Sequence, residues 1–192
     1  MTGATGRTTG MSLFLYSLKK WAGLACKGNP TALHFLCAEG VVRNPIGAQI
    51  VAKQQVFLGR GCVKQFLGFA DDQLKRMAGK RGRGKKGQRP EIEKEFGYDL
   101  NAAMPTLRLL YECKETVLQG TLTLPRPERD FLIRVRTGRY SMDQMISMTQ
   151  KLFKECEAAE KTSSLAEKVD RAAVSRLLAD SYRKAGGEVH PQ

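Results

Sequence analysis

A run of basic residues in the middle of the chain is the part of this sequence best suited to chemistry with phosphates. Between residues 75 and 89 the sequence KRMAGKRGRGKKGQR contains eight Lys and Arg residues and no carboxylate. The basic residues are Lys75, Arg76, Lys80, Arg81, Arg83, Lys85, Lys86 and Arg89. Lys and Arg donate charged hydrogen bonds to phosphate oxygens, and glycines let a backbone approach a ligand closely. We therefore predict a Gly-rich basic loop over residues 79–89 that binds nucleic acid or nucleotide phosphates.

The composition of the whole chain favours the same class of partner. Its 192 residues include 32 Lys and Arg against 19 Asp and Glu, which gives a net charge of +13. Charge of one sign concentrated in a short segment attracts polyanions such as RNA or DNA. The alternative interpretation is a solvated loop that only keeps the protein soluble. No apolar stretch approaches the roughly 18 residues of a membrane span, so no membrane partner is expected.

Few other residues form a pattern that indicates catalysis. Asp71 and Asp72 are adjacent carboxylates, a pair that can bind Mg²⁺. Neighbours on a helix point about 100° apart, however, so we expect both to be solvent-facing charges. His34 lies in an apolar segment without a Ser, Cys or Asp at a recognisable spacing, which favours a structural histidine. The basic run also lacks the spacing of a P-loop. The sequence thus predicts no catalytic residue and no metal site.

Five cysteines are spread along the chain at Cys26, Cys37, Cys62, Cys113 and Cys156. Their number is odd, and no two have the CxxC spacing of a zinc or redox site. We interpret them as small apolar core residues in a reducing compartment. The sequence therefore predicts a cytoplasmic protein.

Helical periodicity and capping residues recur along most of the chain, which predicts an all-α fold: a compact multi-helix domain. Three successive helices are expected over the segments CVKQFLGFADDQLKRMAG, PEIEKEFG and LNAAMPTLRLLYECKETVLQG, with the basic run between the first two. Asp99 is the expected N-cap of the third, and Ser141 with Gln144 matches a capping box. A later helix is expected to begin with Pro127.

The two ends of the chain differ in composition from the helical region. The first residues are rich in Gly and Thr and have no periodicity, so we predict a disordered segment over residues 1–11. The helical domain is expected over residues 12–185, with a last helix from about Lys168 to Ala185 and a frayed end over residues 186–192. Both Met1 and Met11 are plausible starts.

Several segments, in order, resemble the C-terminal helical region of predicted nucleotidyltransferases of the DNA polymerase β superfamily, which occur in bacteria and phages. The markers are the KGNP turn, the basic segment that ends in GYD, the LRLLYE helix, the LPRP element and the RTGRYS turn. The similarity spans roughly residues 13–180. It implies a helical domain that handles nucleotides.

The resemblance also implies groups that this chain lacks. Such enzymes carry a Gly-Ser motif and a pair of aspartates that hold a nucleoside triphosphate and divalent metals, whereas this sequence contains neither Gly-Ser nor Asp-x-Asp. Three explanations follow: a truncated or split product whose catalytic half is a separate chain, a degenerate relative kept for binding, or activity through unrecognised residues. Mg²⁺ and a nucleoside triphosphate are expected only if another chain supplies the catalytic half.

Two functions remain open at this point. The first is a catalytically incomplete nucleotidyltransferase-family domain that binds nucleic acid or nucleotide phosphates through its basic loop. The second is a phage-encoded protein-interaction module, or inhibitor, that acts on a host nucleic-acid-handling complex. The expected partners are accordingly nucleic acid or nucleotide, a separate catalytic subunit, or a host protein. Whether the chain is itself an enzyme stays open.

Overall fold

The computed structural model describes residues 16–37, 45–79 and 90–187. Within these ranges it contains nine α-helices, two short 3₁₀ turns and no β-strand, which confirms the all-α class. The helices are α1 (Leu18–Ala25), α2 (Pro30–Cys37), α3 (Pro45–Ala52), α4 (Val63–Met77), α5 (Pro90–Phe96), α6 (Leu100–Gln119), α7 (Arg129–Arg136), α8 (Met142–Thr162) and α9 (Arg171–Gly187). The predicted disordered segment over residues 1–11 lies outside the described residues.

Helix α6 is the centre of the domain and packs against α4, α7 and α8. Leu107, Leu110 and Cys113 on this helix are fully buried. Each buried Leu contributes roughly 1.5–3 kcal/mol, so the contacts of α6 account for much of the stability of the bundle. The shorter helices pack in pairs, α1 with α2 and α3 with α9.

Local capping explains where the long helices begin. The Asp99 side chain accepts a hydrogen bond from the Asn101 N–H at 2.9 Å at the start of α6. At the start of α8 the Ser141 hydroxyl accepts from the Gln144 N–H at 3.3 Å, and the Gln144 side chain accepts from the Ser141 N–H at 2.9 Å. Both predicted caps are therefore confirmed. They satisfy backbone donors that a helix start leaves unpaired.

Two predicted helix starts are wrong by a few residues. Helix α7 begins at Arg129, after Pro127, and α9 begins at Arg171 instead of Lys168. The reason at α9 is Asp170, whose carboxylate accepts hydrogen bonds from the Ala172 and Ala173 N–H groups at 2.9 and 3.0 Å. Aspartate is a strong N-cap and lysine is not, so the helix starts directly after it.

The cysteines are all free, as predicted. Cys62, Cys113 and Cys156 are buried, while Cys26 and Cys37 are half-buried. Burial raises the pKa of the Cys62 thiol to about 12. This thiol is therefore protonated and unreactive at neutral pH. None of the helices in the described ranges has the length and apolar character needed to cross a bilayer.

Candidate nucleic-acid interface

The C-terminal end of α4 carries the two predicted site residues that the structure describes. Lys75 and Arg76 are both exposed. The Lys75 ammonium pairs with the Asp71 carboxylate at 2.5 Å, and Arg76 donates a weak hydrogen bond to Gln73 at 3.4 Å. Both cations are thus available to solvent where the chain leaves α4. The other six predicted residues, Lys80, Arg81, Arg83, Lys85, Lys86 and Arg89, lie outside the described residues.

The backbone on either side of residues 80–89 is fixed to the bundle. Met77, at the end of α4, is 1% exposed, and its carbonyl accepts a hydrogen bond from the Asp99 N–H at 3.3 Å. The hydroxyl of buried Tyr98 donates to the Tyr140 carbonyl at 2.5 Å. These contacts hold the end of α4, the start of α6 and the turn before α8 together at one end of the bundle.

The turn between α7 and α8 completes this end of the molecule. Gly138 has a φ of +73°, and a side chain there would overlap the ring of Phe96 at the end of α5. A residue other than glycine would also be strained at this backbone angle. The RTGRYS turn is therefore held directly against the segment that follows the basic run.

Three arginines are exposed in this turn and in the last turn of α7: Arg134, Arg136 and Arg139, called here the turn arginines. The Nε–H of Arg134 donates to the Tyr140 hydroxyl at 3.4 Å. Within the described residues none of the three pairs with a carboxylate. In the sequence this segment is a marker of the family resemblance and is not among the predicted site residues. Its signal was present, since RVRTGR holds three cations and no acid.

By contrast, the arginine of the LPRP element is neutralised. Arg126 is 8% exposed and bonds to the carboxylates of Glu115 and Glu128, the latter through its second terminal nitrogen at 2.8 Å. Glu115 also accepts hydrogen bonds from the Thr123 backbone N–H and hydroxyl. This cluster joins α6 to the connection before α7, and its role is structural.

The charge state of Glu115 follows from these partners. Burial by itself would raise the pKa of the Glu115 carboxyl, but the hydrogen bonds from Thr123 and Arg126 and the charge of Arg126 outweigh it and lower the pKa below the ordinary value of 4.5. A carboxyl whose pKa is lowered by folding stabilises the folded state above its unfolded pKa. That contribution is lost as the pH falls through the folded-state pKa.

We therefore expect E115Q to be less stable than the wild type by about 2 kcal/mol at pH 7, the value of hydrogen bonds to a charged group. The difference should shrink as the pH falls below 4.5, where the unfolded wild type takes up a proton. Urea unfolding from pH 3 to pH 7 measures it. E157Q, at an exposed position of α8, is the control and should follow the wild type. A difference independent of pH would contradict the assignment.

His34 has a partner that its sequence neighbourhood does not reveal. Its Nε2 lies 3.1 Å from Oε2 of the fully buried Glu112 and 3.3 Å from Nη1 of Arg108. Arg108 also donates to the other Glu112 oxygen at 2.8 Å. No Ser, Thr or Cys side chain of the described residues hydrogen-bonds to His34. The arrangement supports the prediction of a structural histidine.

Charged residues also line a cleft of about 460 Å³ between the α1–α2 turn and the start of α9. Lys27, Lys168 and Arg171 stand beside Glu167 and Asp170 there. Asp170 is already occupied in capping α9. Because both signs of charge alternate around it, this cleft has no clear preference for an anion or a cation.

The described residues do not fit a divalent metal. No three His, Cys, Asp or Glu side chains in the described ranges come together in a metal-binding group. Asp71, the best sequence candidate, is paired with Lys75, and its neighbour Asp72 is exposed. A hard cation needs several oxygen ligands that converge on one point, and these two carboxylates do not supply them.

Comparison with known proteins identifies the family. A family model described as RlaP, the RNA repair pathway DNA polymerase beta family, matches residues 7–180. The chain belongs to this family. No curated protein and no solved structure matches it. This membership supports the resemblance to the DNA polymerase β superfamily. The narrower expectation, that the chain corresponds only to the C-terminal helical region, stays a prediction. The exposed cations at the end of α4 therefore belong to a polymerase-β-like protein related to nucleotidyltransferases.

Proposed function

We propose that this member of the RlaP family binds nucleic acid phosphates through the basic residues from Lys75 to Arg89 and does not transfer nucleotides by itself. The observation that carries the proposal is the concentration of charge: eight cations in fifteen residues with no carboxylate among them. Lys75 and Arg76 begin this run as exposed side chains at the end of α4. Membership of a family named for RNA repair makes RNA the first ligand to test.

The proposed lack of catalysis rests on the sequence. Family-type nucleotidyl transfer needs carboxylates that hold metal ions against the triphosphate. The 192 residues contain no Gly-Ser and no Asp-x-Asp motif. We therefore propose that the chain corresponds to the helical, ligand-binding part of such an enzyme. The carboxylates needed for transfer would then lie outside these 192 residues.

The experiment replaces five loop cations together, as K80A/R81A/R83A/K85A/K86A. Binding of a fluorescein-labelled 20-nucleotide single-stranded RNA is measured by anisotropy between 50 mM and 300 mM salt. We expect the slope of log affinity against log salt to fall by about 3.5, because each lost phosphate contact removes about 0.7 for a single strand. The wild type, incubated with labelled nucleoside triphosphates and Mg²⁺ or Mn²⁺, should show no label transfer.

A matched control separates local from global charge. Lys53, Lys64, Lys154, Lys161 and Lys168 are exposed elsewhere on the molecule, and their replacement by Ala removes the same charge. This control should retain nearly the wild-type slope. Equal losses in both variants would show that only net charge matters. Absence of RNA and DNA binding in the wild type, with an acidic protein co-purifying at moderate salt, would favour the protein-interaction module instead.

A further inference from the structure

We infer that the turn arginines, Arg134, Arg136 and Arg139, form a second phosphate-binding surface, and that the ligand is a single-stranded polynucleotide and not a free nucleotide. This inference rests on the proposed function and deepens it. It concerns only described residues, and it assigns a role to the RTGRYS turn.

The first support is that the turn arginines are not neutralised. Five other arginines of the described chain pair with carboxylates, namely Arg108, Arg126, Arg129, Arg176 and Arg183, whereas Arg60, Arg76 and Arg171 do not. The turn arginines are exposed and make no such pair within the described residues. Three guanidinium groups within six residues therefore create a local excess of positive charge. Exposed guanidinium groups bind phosphate bidentately, which favours an anionic ligand here.

The second support is that the turn is held in one conformation. The Arg139 N–H donates to the Arg134 carbonyl at 3.1 Å, and the Thr137 hydroxyl donates to the carbonyls of Ile133 and Arg134 at 3.1 Å each. Gly138 packs against Phe96 from the other side. A surface fixed before binding loses little conformational entropy when the ligand arrives.

The third support is position. Tyr98 bonds to Tyr140 in this turn, and the next residue, Asp99, bonds to Met77 at the end of α4. Lys75 and Arg76 lie on the last turn of α4. The turn arginines and the α4 cations therefore occupy the same end of the bundle. Charges spread over two elements match the repeated phosphates of a polymer better than the single phosphate group of a nucleotide.

The fourth support is an apolar hollow on the same helix. Its volume is about 370 Å³, and it is lined by the apolar side chains of Pro125, Leu132 and Ile133 together with the arginines Arg126, Arg129 and Arg136. Ile133 is 44% exposed, so an apolar surface is available to a ligand beside these arginines. Apolar side chains beside guanidinium groups accommodate an unpaired base. In a duplex the faces of each base are stacked on its neighbours and are not accessible. This favours single-stranded nucleic acid.

The test compares R134Q/R136Q/R139Q with the wild type by the same RNA anisotropy titration. We expect the salt slope to fall by about 2, since three phosphate contacts are lost. A second variant, R136Q/R139Q, keeps the Arg134 bond to Tyr140 and should lose about 1.4 of the slope. Circular dichroism and thermal unfolding check that both variants fold. ATP should compete with the RNA far more weakly than an unlabelled strand of the same sequence.

The control is K154Q/K161Q/K168Q, which also removes three exposed charges. Lys161 lies about 30 Å along α8 from Ser141 at the turn, at 1.5 Å per residue. This control should keep the wild-type slope.

The possible outcomes separate the inference from the proposed function. Suppose that the wild type binds RNA and that K80A/R81A/R83A/K85A/K86A weakens the binding, while both variants of the turn arginines match the control. The inference is then overturned and the proposed function stands. If the wild type binds no polynucleotide, both fail. Stronger competition by ATP than by the unlabelled strand also overturns the inference.

Discussion

E112A is expected to lower the free energy of unfolding by about 3 kcal/mol, at the lower end of the cost of breaking a buried ion pair. Glu112 is fully buried on α6, and its carboxylate lies within 3.1 Å of both Arg108 and His34. The Arg108 and His34 side chains are 30% and 25% exposed, so water compensates them in part. Urea unfolding should show the loss, and the melting temperature should fall by about 6–12 °C.

The complementary change removes the opposite charge. R108A leaves the Glu112 carboxylate buried with His34 as its remaining neighbour, so R108A should also destabilise the protein strongly. The double variant R108M/E112L replaces both charges with apolar side chains of similar length. We expect it to be more stable than either single variant, because no buried charge remains unpaired. A double variant less stable than both single variants would contradict this expectation.

G28A is expected to destabilise the protein by about 2–5 kcal/mol. Gly28, in the KGNP turn, has a φ of +73°, and a side chain there would meet the Cβ of Cys62 and come within 2.6 Å of its Cα. The left-handed backbone costs a non-glycine residue about 1–2 kcal/mol, and overpacking adds about 1–3 kcal/mol. Since the clash is with a helix start and not with a flexible side-chain end, little relaxation is available. Thermal and urea unfolding measure the effect.

The same substitution at Gly23 is the matched control. Gly23 is an exposed interior residue of α1, and a Cβ there meets nothing within 4 Å. Replacing such a glycine with alanine stabilises a helix by about 0.5–1 kcal/mol. G23A and G28A should therefore shift stability in opposite directions. If G28A left the stability unchanged, or raised it as G23A does, the close approach to Cys62 would not constrain the KGNP turn.

The sequence was sufficient for the features that depend on neighbours along the chain. The all-α class follows from the apolar periodicity, and the caps at Asp99 and Ser141 follow from side chains that bond to backbone groups two or three residues away. Helix α9 starts at Arg171 and not at the predicted Lys168. The cause is again local, because Asp170 is a better N-cap than Lys168. The excess of positive charge in the basic run is likewise visible in the sequence as a lack of carboxylates between residues 75 and 89.

Only the tertiary structure decided which distant residues meet. His34 and Arg108 are 74 residues apart, and their contact depends on how α2 lies against α6. Tyr98 and Tyr140, 42 residues apart, bring the turn arginines to the end of the bundle where α4 terminates. Periodicity shows which face of a helix is apolar, but not which helix covers that face. For this reason the sequence identified the cations from Lys75 to Arg89, and the packing of α4, α6 and α7 was needed to bring the turn arginines to the end of the bundle that carries Lys75 and Arg76.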